Sequence, residues 1–170
     1  MAAILLATFS ISAQEFRGLD KSPLDMIQYP TSNRETQKSI RVLYSRPQLK
    51  GRELSKLAPN GKVWRTGANE ASEITFNEPM MLGETAIPAG SYSLYTIPGE
   101  NEWIVILNKD INVWGAYNYN QGKDLARITV PVQTAKDSLE AFSMAFEKVD
   151  NGVHLHMGWG TVRIAVPFTK

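Results

Sequence analysis

Residues 139–168, LEAFSMAFEKVDNGVHLHMGWGTVRIAVPF, contain two apolar runs that alternate with polar residues and flank a pair of glycines, Gly158 and Gly160. Alternation with a period of two is typical of a half-buried β-strand, and the two glycines permit a tight turn between the runs. The apolar positions are Val153, Leu155, Met157 and Trp159 in the first run, and Val162, Ile164, Val166 and Phe168 in the second.

The segment before these runs, residues 139–149, fits two patterns. Leu139, Phe142 and Phe146 have helical spacing, whereas Phe142, Met144 and Phe146 lie on one face of a strand. The sequence Asp150-Asn151-Gly152 follows directly and is a strong hairpin signal, which favours the strand.

Strand patterns continue towards the N-terminus. Alternation predicts strands at 40–45, 74–76 and 92–97, and an extended segment at 79–82. The continuous apolar run 103–107 predicts a central strand buried on both faces, and Pro131 favours an edge position for a strand at 125–132. A short helical turn is expected within 51–57 and a loop at 109–123. The predicted fold is all-β, a single-domain antiparallel sandwich or jelly-roll-like barrel of about eight or nine strands.

The N-terminus predicts export. The apolar run 2–11 ends in Ser12-Ala13, which fits a signal peptide over 1–13, and the run is too short to span a bilayer. A buried N-terminal strand or helix is the alternative, and the missing basic n-region leaves the true translation start open. We interpret residues 14–37 as an extended leader and residues 38–170 as the β-sandwich domain. The predicted location is periplasmic or secreted.

Composition excludes several function classes. The 170 residues contain no Cys, which rules out disulfides, thiolate catalysis and Cys-based zinc sites. The net charge of +1 is too small to attract the protein to nucleic acid or anionic lipid through long-range electrostatics. We therefore expect no nucleic-acid partner, no membrane span, and a monomer or weak oligomer.

The block GKVWRTGANEA, residues 61–71, concentrates charged and polar side chains around one tryptophan. Together with Arg46 and Arg52 from the block YSRPQLKGR, residues 44–52, its cations suit an anionic ligand, because Arg binds carboxylate or phosphate bidentately. The alternative is a structural clasp in which Arg65 pairs with Glu70. Either way, Arg65, Asn69 and Glu70 are expected to converge with Arg46 or Arg52, over a buried Trp64.

A second candidate is the loop WGAYNYNQG, residues 114–122. The rings of Trp114, Tyr117 and Tyr119 beside Asn side chains suit stacking on a sugar or a protein interface. A loop that is only anchored by its own aromatics is the alternative.

Metal and nucleophile chemistry have little support in the sequence. His154 and His156 lie on one strand face, but no third ligand is near them in sequence, so no metal and no cofactor are predicted. The chain has no GxSxG elbow for a nucleophilic Ser and no phosphate-binding GxxxxGK[ST] loop. Catalytic residues therefore stay unassigned, with Glu70 as the one acid inside the strongest block.

Four blocks, YSRPQLKGR, GKVWRTGANEA, PAGSYSLYTIP at 88–98 and WGAYNYN at 114–120, resemble the bacterial DUF2911 family of unknown function. The resemblance covers about residues 22–168. It implies an exported, all-β domain and no agreed activity.

The leading functional hypothesis is a binding module for a small-molecule or glycan ligand, centred on two groups of residues. The alternatives are a hydrolase acting on glycan or peptide material, with Glu70 as acid/base, and a structural module of the cell envelope. The candidate ligand-binding residues are Arg46, Arg52, Trp64, Arg65, Asn69 and Glu70 in the first group, and Trp114, Tyr117 and Tyr119 in the second.

Overall fold

Two antiparallel β-sheets pack face to face in the computed structural model, which describes residues 15–170. The predicted signal peptide, residues 1–13, lies outside this range. Within it, one short α-helix and a 3-10 turn (Gln121–Lys123) interrupt ten strands. The elements are β1 Leu24–Tyr29, β2 Ile40–Ser45, α1 Leu54–Leu57, β3 Ser72–Phe76, β4 Met80–Leu82, β5 Thr85–Ile87, β6 Gly90–Ile97, β7 Glu102–Asn108, β8 Asp124–Pro131, β9 Gln133–Val149 and β10 Gly152–Thr169.

The sheet topology confirms the predicted sandwich. The first sheet has the strand order β1-β2-β3-β6-β7-β8, and the second has the order β5-β4-β10-β9. Neighbouring strands are antiparallel throughout, as expected for short strands joined by tight turns. No strand pairing among residues 15–170 joins the two sheets into a closed barrel.

Strand β10 folds back on itself near its two glycines. A Cβ atom on Gly152 would lie 2.1 Å from the carbonyl oxygen of Phe168, and one on Gly158 would lie 3.0 Å from Cδ of Arg163. The two halves of β10 therefore run side by side, which an extended strand of this length could not do. Gly160, with φ of +55°, lies at the reversal, where a left-handed backbone favours glycine.

The antiparallel β9–β10 pairing also confirms a strand rather than a helix over 139–149.

Strand β7 is central and buried on both faces, as its continuous apolar run predicts. Trp103, Val105 and Leu107 lie in the core between the sheets, whereas Ile106 packs with Tyr95 on the opposite face. That opposite face is covered by the loop after β7, through Val113, Ala116 and Tyr119. The loop that carries the aromatic motif therefore lies on the outer face of the first sheet.

The leader contributes to the sheet. All six residues of β1 pair with β2, so residues 24–29 form an edge strand of the first sheet. Pro23 and Pro30 flank β1 and make this segment look like a loop in the sequence. Strand β8 forms the other edge, as Pro131 predicts. None of the helices in residues 15–170 is long and apolar enough to cross a membrane.

Candidate functional site

Residues 61–71 close one end of the first sheet through backbone hydrogen bonds. The N–H of Trp64 donates to Thr96 O (2.7 Å), and the N–H of Thr96 donates back to Trp64 O (3.0 Å). Further along, Ala71 N donates to Val113 O, and Gly115 N donates to Asn69 O, both at 3.0 Å. The segment thus connects β6 to the aromatic loop.

Trp64 belongs to the hydrophobic core. Its side chain is 6% exposed and stacks on Trp159 with a ring-centroid distance of 5.5 Å. Its ring also meets Phe142 at 5.0 Å and Trp103 at 6.0 Å, edge to face in both cases. Trp64 is buried as expected, but its ring faces inwards, so a ligand on the protein surface would not touch it.

The turn between Trp64 and Asn69 has an unusual backbone. Thr66 is fully buried and adopts a φ of +54°, which is rare for a β-branched residue. Its hydroxyl bonds to Thr96 Oγ1 (3.2 Å), and its carbonyl accepts from Ser72 Oγ (2.7 Å). Gly67 leaves no room for a side chain, because a Cβ there would lie 3.0 Å from both Ser45 O and Ser72 Oγ. These contacts hold the turn in one shape and direct Asn69 and Glu70 outwards.

Arg65 stabilises this turn without pairing to Glu70. Its Nη1 donates to the carbonyl oxygen of Asn69 (3.1 Å), and the ion pairs of residues 15–170 do not include Arg65 with Glu70. The Glu70 side chain is exposed. The predicted ion pair between Arg65 and Glu70 is therefore wrong. The turn is held instead by the hydrogen bond from Arg65 to the Asn69 carbonyl and by the backbone hydrogen bonds of residues 61–71.

Arg46 and Arg52 do not join Arg65. Arg46 binds Asp25 through an ion pair (3.1 Å) and donates to Phe142 O (3.1 Å) and Ser143 Oγ (2.7 Å), which ties β2 to β1 and β9. Arg52 donates to the carbonyl oxygens of Leu49 and Gln48, at 2.9 and 2.8 Å, within its own loop. The predicted convergence of these two arginines with Arg65, Asn69 and Glu70 is not found.

Asn69, Glu70 and Trp114 instead line one cavity of about 450 Å³ on the outer face of the first sheet. Glu70 and Trp114 are a directly opposed antiparallel pair, so their side chains project to the same side. We name this space the outer-face cavity. Its other walls come from the leader, from β2 and β3, and from the loop after β7: Arg17, Gly18, Asp20, Ser22, Leu24, Leu43, Tyr44, Ser45, Ala71, Glu73 and Asn112.

Carboxylates outnumber cations around the outer-face cavity. Asp20, Glu70 and Glu73 line it with Arg17 as the one cation among its lining residues. The Ser22 backbone N–H, at 2.7 Å, and the Asn69 side chain hold the pKa of Asp20 below its usual value. Glu73 accepts a hydrogen bond from the Asn112 backbone N–H at 2.9 Å. The cavity therefore presents carboxyl and amide groups, not the basic site that the cations of the sequence suggested.

A second cavity of about 250 Å³ adjoins the first, and Asn112 and Trp114 line both. Trp114 is 58% exposed and lines both cavities, which places it at the boundary between them. The remaining walls of the second cavity are polar or aromatic: Tyr95, Asn108, Asp110, Asn118 and Tyr119, with Val113 and Gly115.

The two tyrosines of the loop have different environments. Tyr119 O–H donates to Asp124 Oδ2 (2.6 Å) and accepts from Arg127 Nη2 (2.5 Å), and its ring meets Tyr95 edge to face. Burial, followed by the bond to Asp124, raises the pKa of Tyr119 to about 12. Tyr117 is 78% exposed and lines neither cavity. Tyr119 thus anchors the loop, and Trp114 is the exposed ring at the cavities.

Only Asn69, Glu70 and Trp114 among the residues that line the outer-face cavity are predicted from the sequence, and the polar residues that escape prediction include Asp20, Ser22, Glu73 and Asn112. Asp20 and Ser22 lie in the leader, and Glu73 and Asn112 lie in a strand and a loop that are far apart in sequence. None belongs to a recognisable motif. The leader brings Asp20 and Ser22 to the cavity, and the loop after β7 brings Asn112, whose N–H bonds to Glu73.

A family model with the description "Protein of unknown function (DUF2911)" matches residues 22–168. The match spans both sheets and most of the outer-face cavity, but Arg17, Gly18 and Asp20 precede it. No curated protein and no solved structure matches the chain.

Proposed function

Because the chain belongs to the DUF2911 family, whose description states no activity, we propose its function from the outer-face cavity. The protein is an exported binding module for an uncharged glycan unit. The sugar ring stacks on Trp114, and its hydroxyl groups bind Asn69, Glu70 and Asn112. The exposed Trp114 ring, which lines both cavities beside carboxylate and amide side chains, carries this proposal.

The chemistry of the lining residues favours sugar over other small ligands. A pyranose has apolar C–H faces that stack on an aromatic ring, and hydroxyls that both donate and accept hydrogen bonds. Carboxylates accept such bonds and Asn amides do both, and these groups surround Trp114.

Charge and size argue in the same direction. Three carboxylates and one Arg around the cavity disfavour the anionic ligand that the basic residues of the sequence suggested. The volume of about 450 Å³ lies inside the range of small-ligand sites. Residues 17–22 form one wall, so a bound sugar would lie between the leader and Trp114.

The test is a calorimetric titration of neutral oligosaccharides into the protein and two variants. Trp114→Ala should weaken binding by about 2 kcal/mol, roughly 30-fold, because a central aromatic contact is lost. Tyr117→Ala is the matched control, since it removes an exposed ring of the same loop that lines neither cavity. Equal losses in both variants, or binding only of anionic sugars, would contradict the proposal.

The hydrolase alternative is favoured by one observation, the presence of Glu70, Glu73 and Asp20 around one cavity. Glycoside hydrolysis needs one carboxyl group with a raised pKa as general acid, and the pKa of Asp20 is lowered. Product analysis of the same mixtures separates the two functions. Release of shorter sugars that stops in Glu70→Gln, while binding persists, would favour the hydrolase.

The apolar run 2–11 and Ser12-Ala13 support export to the periplasm or the medium. Mass spectrometry of the protein from its native cells should find a mature chain that begins near Gln14. An intact N-terminus in the cytoplasm would contradict export.

A further inference from the structure

A cluster of metal-ligand side chains lies on the outer face of the second sheet, on the opposite side of the sandwich from Trp114. His154 and His156 of β10 and Glu147 of β9 each offer one ligand atom, and these atoms lie within 4.8 Å of one another. His156 Nε2 and Glu147 Oε2 are 2.7 Å apart. The three side chains belong to two neighbouring strands of one hairpin.

The strand register creates this cluster. Val153, Leu155 and Met157 are buried in the core, so His154 and His156 project from the other face of β10. In the β9–β10 pairing, Glu147 lies directly opposite His154. Paired residues of an antiparallel ladder project to the same side, and the hairpin at 150–152 holds this register. The third ligand that is missing next to the histidines in sequence is supplied by the adjacent strand.

The donor set selects a class of ion. Two imidazole nitrogens and one carboxylate oxygen suit divalent transition metals, whereas Ca²⁺ and Mg²⁺ take six or more oxygen ligands or water. We propose that Glu147, His154 and His156 form a binding site for one divalent transition-metal ion, Zn²⁺ or an ion of similar ligand preference. Three protein ligands leave a coordination position open for water or for a further ligand, as in non-structural zinc sites.

The present contact between His156 and Glu147 is compatible with metal binding. The pair is well exposed, with 40% and 65% of the two side chains accessible, so its loss costs the fold little. Coordination through His156 Nε2 requires this nitrogen to be free of a proton, which then resides on Nδ1 or passes to solvent. The ion replaces the proton between the nitrogen and the carboxylate. Because the site is open to water, small rotations of the three side chains suffice to close it around an ion.

The test is a calorimetric titration of ZnCl₂ into the untagged protein, with Ca²⁺ and Mg²⁺ as controls. We expect one Zn²⁺ per chain. Glu147→Gln, His154→Gln and His156→Gln should each weaken binding by at least the roughly 10–100-fold that loss of an outer-shell partner costs. Glu84→Gln, which alters an exposed carboxylate in the β4–β5 turn, is the matched control and should bind like the wild type.

Three results would overturn the site. These are a Glu147→Gln variant that binds Zn²⁺ as tightly as the wild type, a double His variant that keeps stoichiometric binding, and Ca²⁺ binding as tight as Zn²⁺ binding. Thermal melts of each variant without metal verify that the fold is intact, since Glu147 is exposed and both histidines are half-buried. If the protein does not bind zinc, the sugar-binding proposal still stands, because the two sites share no residues.

Discussion

At the residue scale, Arg65 and Glu70 have separate roles. Arg65 is half-buried and holds the carbonyl of Asn69, and its Nη1 lies 3.3 Å from the position of a Cβ on Gly115. Gly115 adopts a φ of +68°, and the same Cβ would meet the Tyr117 ring at 2.7 Å. The guanidinium therefore supports the junction between the two loops, whereas Glu70 extends from that junction towards the outer-face cavity.

Substitution of the two residues should affect stability differently. Arg65→Ala removes the donor to Asn69 O and should lower the free energy of unfolding by about 1–3 kcal/mol. Glu70→Ala removes an exposed group without an ion-pair partner among residues 15–170 and should change it by less than about 0.5 kcal/mol. Urea unfolding of both variants is the measurement. A large destabilisation by Glu70→Ala would contradict this prediction and would indicate that Glu70 does pair with Arg65.

At the scale of elements, the aromatic loop after β7 is tied to β8 at its C-terminal end. Tyr119 bonds to Asp124, which also pairs with Arg127 at 2.7 Å. Asn108 Nδ2 donates to Asn120 O (3.0 Å) and to Asp124 Oδ1 (2.7 Å). These bonds hold the loop over Ile106 and leave Trp114 exposed at its N-terminal end.

This attachment predicts a dependence of stability on alkaline pH. The pKa of Tyr119 is raised in the folded state, so its bonds contribute fully below pH 10 and are lost as pH rises through about 12. Tyr119→Phe should cost about 1 kcal/mol at neutral pH. Its deficit relative to the wild type should shrink in urea unfolding above pH 10. Tyr117→Phe, in the exposed part of the loop, is the control, and a deficit that stays constant with pH would contradict the prediction.

At the scale of the whole molecule, aromatic rings join the two sheets. Trp103 belongs to the first sheet and Phe142 and Trp159 to the second, and Trp64 contacts all three. The segment that presents Asn69 and Glu70 is thereby fastened to the centre of the core. The positions of Asn69 and Glu70 at the cavity therefore depend on the packing of the core between the two sheets.

Trp64→Ala should therefore act on the fold. Removal of a large buried aromatic should cost about 3–5 kcal/mol, since the surrounding rings cannot fill the space. Trp114→Ala is the matched control, because its ring is exposed and its loss should be nearly neutral for stability. Thermal and urea unfolding give both values. A Trp64→Ala variant as stable as the wild type would contradict the inward position of this ring.

The sequence by itself determined the all-β class, an antiparallel sandwich or barrel, the central β7, the edge β8 and the turns at 150–152 and 158–160, and the sheet pairing then decided for the sandwich. These depend on side-chain alternation and on turn residues, which are local properties of the chain. The register between distant strands was decided only by the tertiary structure. That register turned Trp64 inwards and left Trp114 exposed, separated Arg46 and Arg52 from Arg65, and added β1 to the sheet. It also placed Asp20 and Asn112 beside Glu70, and Glu147 opposite His154, because side chains that are not neighbours in sequence meet only when the segments that carry them are packed together.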